Sequence, residues 1–199
     1  MDKIICFGDS LVSGYGLQKG EGWCELLQKD YSISKNWTII NRGIPGDTIT
    51  GLLSRSHRDV LLLRPKRVIL LIGTNDLLLG RSVNVVFENL TFLISELISH
   101  NITPILLSPP GIAEDMAEES WDSYNNYSVV NKNIELLIKK LYKYSLENKI
   151  IFLNLYDFLH SLINMSIVSS YKDLYIDGIH LSSIGNSFIA TKIKEILKV

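Results

Sequence analysis

The sequence predicts an α/β protein, a three-layer α/β/α sandwich around a mostly parallel five-stranded sheet. Short runs of apolar and β-branched residues alternate along the chain with longer segments of helical period. The strand candidates are apolar at nearly every position, as is typical of parallel strands covered by helices on both faces. Because parallel strands need helical crossovers, the alternation itself predicts repeated right-handed βαβ units.

Five short runs are the predicted strands, and each is rich in residues that favour extended structure. In chain order they occupy 3–7, 38–40, 67–72, 103–107 and 150–154. None shows the alternating polar positions of a strand with one solvent-exposed face, so we expect helices on both sides of the sheet.

The segments between the strands carry helical signals. Two of them have an apolar stripe at helical spacing, formed by Val83, Val86, Phe87, Leu90, Ile94 and Leu97 in one and by Tyr127, Val130, Ile134, Leu137, Leu141 and Tyr144 in the other. A helix is expected to start near Thr48 and to stop at Pro65, and Ser182 or Ser183 is expected to cap the last helix. The stretch 108–122 begins with a Pro-Pro-Gly turn and is predicted to be one long loop.

Length and composition fit a globular chain with one domain spanning 1–199. The 20 basic and 21 acidic residues give a formal net charge of −1, so no overall field attracts nucleic acid or an anionic membrane. No apolar run reaches the roughly 18 residues of a spanning helix, and no secretory signal is visible. We therefore expect a cytoplasmic protein without a nucleic-acid partner or an integral membrane segment. Cys6 and Cys24 are expected to be buried thiols.

Four polar clusters lie where an open α/β sheet binds its ligands, outside the carboxyl ends of the strands. They are Gly-Asp-Ser at 8–10, Asn-Arg-Gly-Ile-Pro-Gly-Asp-Thr at 41–48, Gly-Thr-Asn-Asp at 73–76 and Asp-Gly-Ile-His at 177–180. Taken singly, each has an ordinary interpretation as a turn, a loop before a helix, an Asx turn or a helix cap. Together they supply a hydroxyl, a backbone donor without a Cβ, an amide and an Asp–His pair, which are the groups of a serine acyl-transfer site.

In this order the four clusters resemble the SGNH (GDSL) hydrolase superfamily, and the resemblance extends over the whole chain. It implies a flavodoxin-like sheet and a serine hydrolase that cleaves carboxylic esters or thioesters of small molecules, without a cofactor or metal. By this resemblance Ser10 is the nucleophile, His180 is its base, and Asp177 orients the imidazole. The implied oxyanion hole comprises the backbone N–H groups of Ser10 and Gly43 and the side-chain amide of Asn75.

Apolar residues beside the clusters suggest part of a substrate pocket. The wall candidates are Ile44, Leu77 and Ile179, although clustered leucines more often pack a short helix onto a sheet. The 108–122 stretch is a candidate lid, and its acids are Glu114, Asp115, Glu118, Glu119 and Asp122. Such an acidic rim is expected to disfavour polyanionic substrates such as acyl-CoA and to favour neutral esters, including acetylated sugars.

Two other functions remain open at this point. An acyltransferase would use the same residues and pass the acyl group to an alcohol instead of water. A non-catalytic α/β module would hold a phosphate or flavin in the loop after the first strand, but the chain has no Gly-x-Gly-x-x-Gly or Walker lysine. The other histidines, His57, His100 and His160, have no metal-ligand spacing. The sequence does not define the oligomeric state.

Overall fold

The computed structural model describes residues 1–121 and 125–197, which form one five-stranded sheet with helices on both faces. The strands are β1 (Asp2–Gly8), β2 (Trp37–Gly43), β3 (Arg67–Leu71), β4 (Thr103–Leu107) and β5 (Ile151–Leu153). Their spatial order is β2-β1-β3-β4-β5, and every neighbouring pair is parallel. The predicted α/β fold is confirmed, and the sheet is parallel throughout.

Burial along the strands follows their position in the sheet. The interior strands β1, β3 and β4 are buried over most of their length, as their continuous apolar sequence predicts. β2 lies at one edge, where only Ile39 is fully buried. It also runs further than predicted, to Gly43, because Asn41 and Arg42 pair with β1, and an edge strand tolerates polar side chains. β5, at the other edge, is two residues shorter than predicted, since Ile150 and Asn154 lie outside it.

The helices pack in two layers. They are α1 (Ser10–Ser13), α2 (Trp23–Lys29), α3 (Tyr31–Ser34), α4 (Ile49–Asp59), α5 (Thr74–Leu78), α6 (Val83–Ser99), α7 (Glu114–Ser120), α8 (Tyr127–Glu147), α9 (Leu155–Asn164), α10 (Tyr171–Leu174) and α11 (Ser183–Leu197). Ile4 and Cys6 of β1 join an apolar cluster with α2, α9 and α11, whereas Ile5 and Phe7 join a second cluster with α4, α6 and α8. This alternation is the two-residue period of a strand, and it produces the predicted three layers.

Both helices with a predicted start begin where expected, but one of them ends early. Thr48 caps α4 by accepting a hydrogen bond from a backbone N–H, and Ser182 Oγ accepts the N–H of Gly185 at the start of α11 (3.1 Å). α4 does not continue to Pro65. The chain leaves the helical conformation at Val60, whose side chain is buried in the core, and a single 3₁₀ turn at Leu61–Leu63 follows.

The stretch 108–122 is not one long loop, because α7 occupies its centre. The first turn of α7 contains Glu114 and Asp115, and carboxylates there interact favourably with the helix dipole. The side chain of Ala117 is completely buried beneath the helix. Seven residues with one small buried side chain show no apolar stripe in sequence, which is why the helix was not predicted. Asp122 lies outside the described residues.

The beginning of the chain is joined to its last helix. The N–H of Trp23, at the start of α2, donates to Asn186 Oδ1 of α11 over 163 sequence positions (3.1 Å). Asn186 Nδ2 in turn donates to the carbonyl of Leu181 (3.1 Å). The segment just before α11 is therefore fixed to the first helices.

The two cysteines behave as predicted. Cys6 and Cys24 are buried free thiols, and Cys24 Sγ donates to the carbonyl of Val12 at 3.6 Å. Within the described ranges, no three His, Cys, Asp or Glu side chains are grouped so that they could hold a metal ion. None of the described helices is long and apolar enough to cross a membrane.

Candidate active site

The first predicted cluster forms a tight turn between β1 and α1. Gly8 ends the strand, and a Cβ at this position would overlap the carbonyl oxygen of Leu71 on β3. Asp9 Oδ1 accepts the N–H of Leu11 (2.9 Å) and so caps the single turn of α1. Ser10 is the first residue of α1 and is buried at the carboxyl edge of the sheet. The sequence folds this way because only glycine fits beside β3 and the aspartate accepts a helix N–H that has no partner within the helix.

Ser10, His180 and Asp177 form one continuous line of hydrogen bonds. His180 Nε2 lies 2.9 Å from Ser10 Oγ, and His180 Nδ1 lies 2.8 Å from Asp177 Oδ2. A carboxylate only accepts hydrogen bonds, so the imidazole hydrogen belongs on Nδ1 and the lone pair of Nε2 faces the serine. The structure thus brings together the three residues predicted from the first and last clusters.

The carboxylate of Asp177 is held by its own turn. Its Oδ1 atom accepts the backbone N–H groups of Ile179 (3.0 Å) and His180 (2.7 Å). Partial burial acts to raise the pKa of Asp177, but the hydrogen bonds from the His180 ring and from these two N–H groups outweigh it and lower the pKa below its usual value. Asp177 is therefore ionised at neutral pH and can stabilise a positively charged imidazole.

The turn that carries His180 packs directly against α7. The N–H of Ala113 donates to the carbonyl of Gly178 (2.9 Å). Gly178 has φ +86°, and a Cβ there would overlap the backbone nitrogen of Ala117. The position of the imidazole consequently depends on α7, and Gly178 is needed both for its positive φ and for the close approach of the two segments.

Asn75 reaches the same edge from the start of α5. Its Nδ2 atom donates to the carbonyl of Asp47 (2.8 Å), which uses one of the two amide hydrogens, and the other has no acceptor among the described residues. The backbone N–H of Ser10 has no acceptor among the residues that the structure describes. Two of the three predicted oxyanion donors are therefore present with a hydrogen to offer.

The third predicted donor, Gly43, is already engaged. Its N–H donates to Asn41 Oδ1 (2.8 Å), and a Cβ at Gly43 would overlap the backbone of Ser13, so close packing of β2 against α1 explains the glycine. Gly46, three residues further on, has φ +78° and open space around its Cβ position. Its N–H has no acceptor within the described part of the chain. The sequence shows both Gly43 and Gly46. Only the folded loop determines which of their N–H groups already has a partner.

A buried arginine that the sequence analysis missed connects the segments around this site. The guanidinium of Arg55 donates to Asp47 Oδ2 (2.7 Å), to the carbonyl of Gly8 (2.9 Å) and to the carbonyl of Arg42 (2.9 Å). These acceptors lie on the loop before α4, at the end of β1 and at the end of β2. Arg55 therefore ties the nucleophile turn to the loop that contains Gly46.

Two buried carboxylates lie beside this network. Asp76 accepts the N–H of Ile49 (2.9 Å) and pairs with Arg81 (2.7 Å), while burial raises its pKa. Asp9 is more isolated, because its Oδ2 atom has no hydrogen-bond partner among the described residues. Burial, reinforced by the negative charges of Asp47 and Asp76 and opposed by the hydrogen bond to Oδ1, raises the pKa of Asp9 to about 7.

The three predicted wall residues have different surroundings. The side chain of Ile44 is 44% exposed at the rim, whereas Leu77 is 2% and Ile179 is 8% exposed. Leu77 and Ile179 belong to the apolar cluster beneath α4, α6 and α8. Their burial favours a packing role over contact with a substrate, so Ile44 alone of the three presents apolar surface beside the site.

Two aromatic side chains that were not predicted flank the imidazole of His180. The ring centroid of Tyr15 lies 4.5 Å from that of His180, and the ring centroid of Trp121 lies 5.6 Å from it. Tyr15 follows the nucleophile turn, and Trp121 directly follows α7 as its C-cap residue. No sequence pattern marks either residue, because the site gathers them from segments more than 100 positions apart.

Four of the five acids of the predicted lid lie on α7. Glu114 accepts a hydrogen bond from Asn131 (2.9 Å), which fixes it to α8. Asp115, Glu118 and Glu119 are exposed. The described acids of this stretch therefore give α7 a negative outer surface.

Known sequences resemble this chain over most of its length. The sequence model of the GDSL-like Lipase/Acylhydrolase family matches residues 6–187. An uncharacterized lipoprotein of Bacillus subtilis (strain 168) is 30% identical over 137 residues, and an arylesterase of Vibrio mimicus is 28% identical over 127 residues. These matches cover 63% and 62% of this chain but 56% and 64% of the two relatives, so the chain spans less than two thirds of either.

Solved structures share the fold over nearly the whole chain. A member of the lipolytic G-D-S-L family from Veillonella parvula has a TM-score of 0.81 and 24% identity, covering 100% of this chain and 99% of that one. A lipase/acylhydrolase from Enterococcus faecalis has a TM-score of 0.75 and 26% identity, covering 98% and 97%. Since the family match runs through all four polar clusters, the chain belongs to the GDSL-like lipase/acylhydrolase (SGNH hydrolase) family.

Proposed function

We propose that this protein hydrolyses carboxylic esters through an acyl-enzyme on Ser10. The observation that carries the proposal is the hydrogen-bonded line from Ser10 Oγ to His180 (2.9 Å) and on to Asp177 (2.8 Å). A serine hydroxyl is a poor nucleophile unless a neighbouring base accepts its proton, and a histidine needs a third group to fix its tautomer. Both requirements are met by residues in direct contact.

In the first half-reaction, Ser10 Oγ attacks the ester carbonyl carbon while His180 Nε2 takes the hydroxyl proton. The carbonyl electron pair moves onto oxygen and produces a tetrahedral oxyanion. When the carbonyl re-forms, the bond to the alcohol oxygen breaks, and the departing alcohol takes the proton from His180. Asp177, kept ionised by its lowered pKa, stabilises the transient imidazolium.

In the second half-reaction, water replaces the alcohol. His180 removes a proton from the water as it attacks the acyl carbon, and collapse of the second tetrahedral intermediate returns that proton to Ser10 Oγ. The products are the carboxylic acid and the free enzyme. The same site becomes an acyltransferase if an alcohol acceptor reacts in place of water.

The oxyanion is proposed to receive hydrogen bonds from the N–H of Ser10, the side-chain amide of Asn75 and the N–H of Gly46. Gly46 replaces Gly43 in this set because the Gly43 N–H is occupied by Asn41. The carbonyl of Asp47 holds the Asn75 amide in place (2.8 Å). Preset donors of this kind commonly contribute about 10²–10³ each to turnover.

Neutral esters are the proposed substrate class. The arylesterase of Vibrio mimicus and an esterase of Pseudomonas aeruginosa, 32% identical over 88 residues and 44% of each chain, support ester chemistry. The exposed acids Asp115, Glu118 and Glu119 on α7 give the rim a negative charge that repels polyanions such as acyl-CoA. Esters of acetylated sugars are neutral, so this negative rim does not repel them.

The test compares hydrolysis of chromogenic esters, from acetate to long-chain acyl groups, by the wild type, Ser10→Ala and Ser187→Ala. Ser187 is an exposed serine on α11 and serves as the matched control. Circular dichroism verifies that the three proteins fold alike. We expect Ser10→Ala to abolish turnover and Ser187→Ala to leave it unchanged.

Equal activity of the wild type and Ser10→Ala would overturn the assignment of the nucleophile. If the wild type hydrolyses no ester in the series, the hydrolase proposal fails for these substrates. Product analysis with an added alcohol then tests the acyltransferase alternative.

A further inference from the structure

We propose that Trp121 and Tyr15 select esters whose alcohol part presents a flat ring face, either an aromatic ring or a sugar ring. This inference rests on the proposed function, because it concerns the leaving group of that reaction. Neither residue takes part in the chemical steps. Their role is to contact the alcohol while His180 protonates it.

The place of the alcohol follows from the chemistry. The departing oxygen takes its proton from His180 Nε2, so it must come within hydrogen-bond reach of that atom. The group attached to the oxygen therefore extends past the edge of the imidazole. Among the described residues, the rings of Tyr15 and Trp121 lie 4.5 Å and 5.6 Å from the imidazole centroid, which places them beside that path.

Both rings are available for contact. Tyr15 is 45% exposed and Trp121 is 51% exposed. Large aromatic side chains contribute most to binding when a ligand covers them, so each ring has surface that a ligand can bury. Aromatic rings pack best against other flat faces in offset or edge-to-face arrangements. A linear alkyl alcohol covers such a ring poorly, whereas an aryl or pyranose ring covers it well.

The backbone of each aromatic residue is hydrogen-bonded to a segment that carries or contacts the reacting groups. The N–H of Tyr15 donates to the carbonyl of Ser10 (3.2 Å), and the N–H of Trp121 donates to the carbonyl of Ala117 (2.9 Å). Ala117 is fully buried and lies against Gly178 of the His180 turn. Because the backbone of both residues is fixed relative to Ser10 and His180, binding of a ring-bearing alcohol needs to order only the two side chains.

The negative charges beside Trp121 further limit which alcohols the site favours. Glu118 and Glu119 are exposed on the last turn of α7, next to Trp121. They disfavour an anionic ring, such as one that carries phosphate, by like-charge repulsion. The favoured alcohol is therefore a neutral phenyl, benzyl or glycosyl group.

The experiment keeps the acyl group constant and changes the alcohol. Acetic acid release from ethyl acetate, benzyl acetate and methyl 6-O-acetyl-glucopyranoside is followed by pH-stat titration, and kcat/KM is obtained for each ester. The kcat/KM of each ring ester is divided by that of ethyl acetate, and this ring-to-ethyl ratio is then compared between the wild type and the variants. Differences in intrinsic ester reactivity cancel in that comparison.

The variants separate a flat ring from mere apolar bulk. Trp121→Leu and Tyr15→Leu keep an apolar side chain but remove the ring, and Trp121→Phe keeps a ring. Tyr142→Ala is the matched control, because Tyr142 is 54% exposed on α8 and its ring neighbour is Phe152 of β5. We expect each Leu variant to lower the ring-to-ethyl ratio by about three- to tenfold, the usual contribution of one aromatic pair. Trp121→Phe and Tyr142→Ala should keep the wild-type ratio.

An unchanged ratio in both Leu variants, with ethyl acetate still hydrolysed, would overturn this inference and leave the proposed function intact. A similar fall in Tyr142→Ala would overturn it as well. A loss confined to benzyl acetate identifies the aryl alcohol, and a loss confined to the glucoside identifies the sugar; either supports ring selection. If the wild type hydrolyses none of the three esters, the proposed function itself fails.

Discussion

Replacing Asp9 with Asn should remove a large part of the pH dependence of folding stability. Asp9 is buried next to the nucleophile, its Oδ2 atom has no partner among the described residues, and its pKa is raised from an ordinary value of 3.8 to about 7. Asn is nearly isosteric and keeps an oxygen to accept the N–H of Leu11. The substitution therefore removes the ionisation and preserves the helix cap.

The sign and size of the effect follow from that pKa. Between its unfolded and folded values, Asp9 holds its proton more tightly in the folded protein, so stability falls as the pH rises from about 4 to about 7. Ionising the buried group costs about 4 kcal/mol more than ionising it in the unfolded chain. From about pH 5 to about pH 8, Asp9 should account for a loss of about 3 kcal/mol in the free energy of unfolding.

The assay is urea unfolding of the wild type and Asp9→Asn at several pH values in this range. The stability of the variant relative to the wild type should rise with pH. Asp30→Asn is the control: Lys194 lowers the pKa of Asp30 to about 2, so its stabilising effect is lost only as the pH falls through that value. Above about pH 5, the free energy of unfolding of Asp30→Asn should change with pH in the same way as that of the wild type. A parallel curve for Asp9→Asn as well would refute the argument.

Three further substitutions test the site. Asn75→Ala should lower kcat by about 10²–10³ with little change in KM, since the lost donor acts on the oxyanion, and steady-state kinetics measure this. Asp177→Asn should lower kcat by about 10³–10⁴ while His180 stays in place, as pre-steady-state acylation rates would show. Gly178→Ala should destabilise the fold by about 2–4 kcal/mol in urea unfolding and also reduce kcat, because its Cβ overlaps the backbone of Ala117 at a φ of +86°. Wild-type values in these assays would contradict the corresponding role.

The sequence was sufficient for features that depend on local pattern. Continuous apolar runs predicted the interior strands, because residues such as Ile69 and Leu70 enter the two opposite cores. The polar clusters predicted the edge at which Ser10 and His180 meet, since parallel strands all end on one side. Once Ser10 and His180 lie at the same edge, the hydrogen bond between them can form.

Features that depend on tertiary contacts were not predictable. Gly43 and Gly46 are equally permissive in sequence, and only the folded loop determines that the Gly43 N–H is bound to Asn41. Leu77 follows Asn75 by two positions, yet its side chain points into the core. α7 exists because Ala117 is buried against the His180 turn, a contact that no seven-residue pattern reveals.

The hydrogen bond between Ser10 and His180 spans 170 positions, so it also sets when the protein acquires activity during its synthesis. The nucleophile turn leaves the ribosome 170 residues before its base, which arrives only with the segment just before α11. That segment is fixed in turn by the contact between Trp23 and Asn186. Because chains emerge from the amino terminus onward, a nascent chain holds an unactivated serine until the His180 segment has also emerged. Onset of ester cleavage in a stalled-ribosome series would therefore mark docking of the last helix.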